Sequence, residues 1–174
     1  MPVTKTAGIL CVLAASFLAG FWMENRLKKH WYLLRETYDM LSFLLKEMTF
    51  HCSMLPEAFR SAAAHGTTEA ADVLKTAAEQ LTAEDGRTFD EIWKSAVQEA
   101  LPPNLLSEEE YALFLELSPA LCAEDPVIQK TLLEKYAARF LAWSREEEAD
   151  YREKGRLYRS LAAAGGVFLI ILLL

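Results

Sequence analysis

The side chains that could carry chemistry are three histidines (His30, His51 and His65), three cysteines (Cys11, Cys52 and Cys122) and two glutamate runs, Glu108 to Glu110 and Glu146 to Glu148. A metal site needs several such ligands converging on one point, commonly through C-x-x-C or H-x-x-x-H spacing, and neither pattern occurs. His51 and Cys52 are neighbours, so on a helix they point to different faces and cannot serve one metal together. The cysteines form no spaced framework and read as reduced thiols, with Cys52 acting as a small buried hydrophobe. Glu108, Glu109 and Glu110 follow Ser107, in the first turn of a helix, where the helix dipole favours negative charge. Glu146, Glu147 and Glu148 read as a solvated face or an acidic docking patch rather than a general acid/base pair. No glycine loop could cradle a phosphate and no Ser/His/Asp set is spaced for nucleophilic attack. These residues predict a protein that is not an enzyme, holds no metal or cofactor and has no small-molecule substrate. Glu108, Glu109 and Glu146 to Glu148 are its candidate partner-docking residues.

The elements that position these groups are helical. Leu27, Trp31, Leu34, Tyr38, Leu41, Leu45, Met48, Cys52 and Leu55 alternate by four and three, a heptad seam that predicts one long helix offering an apolar stripe to a partner helix. Phe43, Leu44 and Phe50 widen that face. Pro56 opens a short helix that Gly66 ends. Thr67 or Thr68 caps the next, with Val73, Leu74, Ala77, Ala78 and Leu81 on one face, and Asp85-Gly86 turns the chain. Thr88 with Glu91 and Ser107 with Glu110 are capping boxes for two further helices, one ended by Pro102-Pro103 and the other bent or ended by Pro119. Asp125-Pro126 starts a last long helix whose inward face is Ile128, Leu132, Leu133, Tyr136, Phe140 and Trp143. No segment alternates with a two-residue period, so no sheet is expected.

Both ends of the chain are apolar. Ala7 to Met23 contains no charge, and Leu161 to Leu174 is equally uncharged. At about 1.5 Å per residue the first covers roughly 26 Å and the second roughly 21 Å, against a hydrocarbon core of about 30 Å. The first is expected to span a membrane, and the second to do so with help from snorkelling arginines and local thinning. Arg26, Lys28 and Lys29 follow the first run, and Arg156 and Arg159 precede the second, so the positive-inside rule places the middle of the chain in the cytoplasm. A cleaved signal peptide fits the first run less well, because the positions around Ala14 to Gly20 give no clean small-x-small site and the following Arg26, Lys28 and Lys29 resist translocation. The net charge of −7, with the basic residues concentrated beside the apolar runs, disfavours nucleic acid as a partner. The expected fold class is all-α: an antiparallel bundle of about six helices, two long and several short, between two terminal transmembrane segments. The expected divisions are a short tail and transmembrane helix over 1–23, a cytoplasmic bundle over 24–160, and a transmembrane segment over 161–174.

At Arg156-Leu157-Tyr158-Arg159-Ser160-Leu161, followed by small residues, Gly165-Gly166 and a terminal Ile/Leu run, the chain resembles the stage III sporulation protein AB family. The likeness extends through Leu55-Pro56-Glu57-Ala58-Phe59, the Thr88 to Trp93 segment and the Ser107-Glu108-Glu109 helix start. The chain departs from the family at Ser118, Ala120, Cys122 and Ala162, where glycine is frequent. The resemblance implies a component of the channel joining mother cell and forespore in endospore formers, set in the mother-cell membrane around the forespore with its body in the mother-cell cytoplasm. It also implies a body similar to the platform-protein domain of type II secretion and type IV pilus machines, a non-catalytic scaffold that meets a cytoplasmic ATPase and other channel subunits. Two readings from other classes stand beside it. One is a membrane-anchored coiled-coil signalling or adaptor protein paired through the Leu27 to Leu55 seam. The other is a membrane-bound hydrolase using His51, His65 and nearby carboxylates.

Overall fold

The computed structural model describes the backbone of residues 2–48, 54–83 and 86–173, and side chains at 18, 21, 22, 25–48, 54–83, 86–154, 160, 164 and 165. Seven helices occur among the described residues: α1 (Pro2–Lys46), α2 (Leu55–Ala63), α3 (Glu69–Thr82), α4 (Phe89–Ala100), α5 (Glu108–Leu115), α6 (Ser118–Leu121) and α7 (Pro126–Leu173). No described residue is in a strand, as the absence of two-residue alternation predicts. The chain divides into two units, Tyr32–Ser144, and Met1–Trp31 with Arg145–Leu174.

α3, α4, α5 and α7 start where the sequence supplies an acceptor for the orphan amides of a first turn, whereas α2 and α6 have a proline in the first turn and no side-chain cap. Thr88 and Ser107 cap α4 and α5 with complete boxes, and the Asp125 carboxylate accepts from Val127 N at 2.7 Å. The seam was expected to run in one helix as far as Leu55. Instead α1 ends at Lys46, Glu47 and Met48 form a wider π-type turn, and Leu55 belongs to α2, after an extended Met54. Pro56 accounts for the new start, since inside a continuous helix its ring would clash with the carbonyl four residues earlier.

The core of this unit is a shared cluster. From α1 it takes Leu33, Leu34, Met40, Leu41 and Leu44, from α2 Phe59, from α3 Val73 and Leu74, from α4 Trp93 and Val97, and from α7 Leu133 and Phe140. The buried stripe on α1 therefore runs 33/34, 37, 40/41, 44, with Leu34 and Leu41 inside it and Tyr38, Leu45 and Met48 half-buried at its edge. Several short helices cover a wider arc than one partner helix would. Thr37 tolerates its buried place because its hydroxyl donates to Leu33 O at 2.7 Å. α3 buries Ala70, Ala71, Ala77 and Ala78, and these small side chains admit close neighbours. Trp93 is 1% exposed, and its indole N–H donates to Phe114 O at 2.7 Å, joining α4 to the end of α5. Along α7, Leu133 and Phe140 face inward, but Ile128 is 53% exposed and Val127 more so. Apolar spacing cannot reveal that, among the described residues, that first turn is left exposed.

In the other unit, the rings of Trp31 and Tyr151 stack at 6.1 Å with an interplanar angle of 6°, and His30 Nδ1 lies 3.4 Å from Glu147. These contacts join α1 to α7. Among the described residues no helix is long and apolar enough to cross a membrane. Most side chains of 7–23 and 161–174, on which the two expected spans rest, lie outside those described.

Gly66 has a role that its position after α2 does not convey. A Cβ there would lie 2.0 Å from Met40 Cε, 2.7 Å from Ala71 Cβ and 2.7 Å from Glu36 Oε1. Methionine can swing away, but the Ala71 Cβ is fixed to its backbone. Gly66→Ala should therefore destabilise the protein by about 1 to 3 kcal/mol through overpacking, outweighing the roughly 0.4 to 1 kcal/mol that a stiffer unfolded chain would return. A lower urea midpoint with unchanged slope is the expected result.

Candidate partner-docking site

A groove of the Tyr32–Ser144 unit follows one side of α1. Tyr32, Arg35, Glu36, Asp39, Met40 and Phe43 of α1, with Ala62, His65 and Thr67 opposite, enclose about 420 Å³. Its floor is a carboxylate that acts as a helix cap. Glu36 Oε1 accepts from Thr67 N at 2.8 Å, Thr68 N at 2.8 Å and Thr68 Oγ1 at 2.7 Å, while Oε2 accepts from Thr67 Oγ1 at 3.1 Å. Thr68 in turn caps α3, its hydroxyl oxygen accepting from Ala70 N at 3.4 Å. In α4 and α5 the third helical residue is a glutamate that reaches back to the cap amide. In α3 that position is Ala71, so the cap amide takes an acceptor from α1 instead.

The groove walls are aromatic and ionic. Phe43 and His65 rings meet at 5.2 Å, and Arg35 lies over the Tyr38 ring at 5.4 Å while its Nε donates to Asp39 Oδ2 at 3.4 Å. His65 Nδ1 is 2.8 Å from Ser61 O; a carbonyl only accepts, so Nδ1 carries the proton. With four donors on Glu36 and Nδ1 committed to Ser61, the arrangement favours contact with another molecule over proton transfer. Among the described residues no group of three His, Cys, Asp or Glu side chains could hold a metal ion. His51 and Cys52 lie outside the described residues.

The acidic runs divide by role. Glu108 and Glu109 are exposed on the first turn of α5, whereas Glu110 is buried and its Oε2 accepts from Ser107 N at 2.7 Å. Glu146 is exposed, Glu147 faces His30, and Glu148 pairs with Arg152 at 2.7 Å. Arg26, Lys28 and Lys29 are exposed on α1, while the side chains of Arg156 and Arg159 lie outside those described. Of the seam residues in the second unit, Leu27 and Trp31 are half-buried. Sequence reasoning missed Glu36. The signal was the Thr67-Thr68 pair ahead of a helix whose third position lacks Glu or Gln.

Comparison with known families matches the stage III sporulation protein AB family over residues 5–174. A solved structure titled "Stage III sporulation protein AB (SpoIIIAB)" superposes with a TM-score of 0.59 and 16% identity, covering 67% of this chain and 91% of that chain. At that identity the likeness is one of fold. No curated protein sequence gives a significant match.

Two outcomes follow from the caps. Glu36→Ala leaves the Thr67 and Thr68 amides without their acceptor and should lower stability by about 2 kcal/mol, in the range of hydrogen bonds to charged groups. Amide exchange at the start of α3 should rise more than at α4. Hydrogen bonds from the Thr88 backbone and hydroxyl hold the Glu91 carboxyl below the ordinary glutamate range. A carboxyl depressed in the folded state stabilises the fold above its unfolded pKa and loses that contribution as pH falls through the folded one. Glu91→Gln, which does not titrate, should therefore flatten the acid limb of a urea-midpoint profile across the carboxylate range.

Proposed function

The chain belongs to the stage III sporulation protein AB family, which gives it a role in sporulation, and we propose that it is a membrane-anchored, non-catalytic scaffold of the channel joining mother cell and forespore. In this reading α1 and α7 enter the mother-cell membrane through 7–23 and 161–174, with 24–160 forming the body in the mother-cell cytoplasm. The body meets a cytoplasmic ATPase and other channel subunits.

The observation that carries the anchoring is on α1. Leu18, Phe21 and Trp22 are 66%, 64% and 66% exposed, a cost in water that a lipid environment removes. The exposed Arg26, Lys28 and Lys29 follow directly, the order of an apolar segment meeting a cytoplasmic interface. Docking is supported by the character of the surface. Glu108 and Glu109 stand free of the capping box that occupies Glu110, and Glu146 is exposed beside the paired Glu147 and Glu148. Rim carboxylates of this kind govern association rate and choice of partner more than they govern folding.

Glu108→Gln with Glu109→Gln, and separately Glu146→Lys, should each leave helix content unchanged. At least one should reduce recovery of the co-expressed ATPase about ten-fold in a low-salt pull-down. Full recovery with both variants rejects the acidic patches as the docking site, and failure of the unchanged chain to recover the ATPase rejects the partner.

A further inference from the structure

We infer that the segment from Leu18 to Lys29 of α1 is a binding site for anionic lipid headgroups and not a neutral membrane anchor. This rests on the anchoring reading above and names the lipid class that the same segment selects.

The two sides of α1 differ here. At about 100° per residue, Leu18, Trp22, Asn25 and Lys29 lie near one line, with Phe21, Arg26 and Lys28 within about 80° of it. All seven side chains are exposed. His30 and Trp31 are turned toward α7, where they meet Glu147 and Tyr151. The helix therefore keeps one face for its partner and leaves on the other an apolar and aromatic turn followed by a cationic one.

The spacing suits a bilayer surface. The Leu18 to Trp22 turn and the Arg26 to Lys29 turn are centred about seven residues apart, or about 11 Å along the axis. A headgroup layer of about 5 to 8 Å per leaflet, together with the reach of arginine and lysine side chains, fits that interval. Phe21 and Trp22 then lie at the acyl boundary, where aromatic rings concentrate, and the cations lie among the phosphates. Arg26 and Lys29 make no ion pair with a described residue. Each basic side chain beside an anionic surface strengthens binding roughly five-fold. A zwitterionic surface gives little of that gain, and a protein partner would need a complementary acidic strip on this same face.

The test is native mass spectrometry of the full chain, released from a mild nonionic detergent containing equal phosphatidylglycerol and phosphatidylcholine. The unchanged chain should retain phosphatidylglycerol over phosphatidylcholine by at least ten-fold. R26Q/K28Q/K29Q, with helix content verified by circular dichroism, should bring the ratio close to one, whereas K130Q/K135Q, on α7, should leave it unchanged. Trp22→Ala should lower retention of both lipids. Equal retention by the unchanged chain, or a ratio indifferent to the triple change, overturns the headgroup inference while leaving the anchor intact. A chain that stays monodisperse without detergent and retains neither lipid overturns the anchor as well, and points to a protein partner for this face.

Discussion

A single carboxylate on α1 does for α3 what a local glutamate does for α4 and for α5. Glu36 takes four hydrogen bonds from Thr67 and Thr68, more than thirty residues away in sequence. A capping box forms within one turn and fixes only its own helix. A cap delivered from another helix also fixes where that helix must lie. The first turn of α3 is thus tied to one point along α1, and a Cβ at Gly66 has no room because Ala71 and Glu36 stand where it would lie. With α3 located, its alanine face sets how near α2 and α4 can approach, and Trp93 then reaches the Phe114 carbonyl at the end of α5. The groove beside α1 is the outer surface of this same arrangement.

Local signals in the sequence were the most legible. The Thr88/Glu91 and Ser107/Glu110 boxes, the Asp125-Pro126 start and the turn at Gly86, with φ of 80°, all depend on residues within a few positions of one another. The helical class followed from periodicity. What periodicity could not supply was the facing partner: the α1 stripe is centred on 33/34, 37, 40/41 and 44 because several helices cover it, whereas Ile128, at helical spacing with the inward residues of α7, is exposed. Glu36 was illegible for a related reason. Nothing in its own neighbourhood distinguishes it from any other glutamate on a long helix, and its donors lie in a different element.

The acidic residues make the same point about function. As a run, Glu108 to Glu110 looks uniform, yet the helix start separates it into two exposed carboxylates and one buried beneath Ser107. Glu146 to Glu148 separates likewise, since side chains on consecutive helical positions diverge by about 100°. A charge run is thus a poor unit for a docking site. The structure assigns cohesion to some of its members and leaves others to meet a partner.

The four buried alanines of α3 also shape how this protein can vary. Where a core is built of large side chains, mutation threatens it mainly by subtraction, through cavities. Here Ala70, Ala71, Ala77 and Ala78 hold almost nothing to subtract, and the danger is addition, because each extra methyl group must push a neighbouring helix aside. Natural drift along this face should be filtered by volume far more strictly than by polarity, so that serine or glycine would survive where valine or leucine would not.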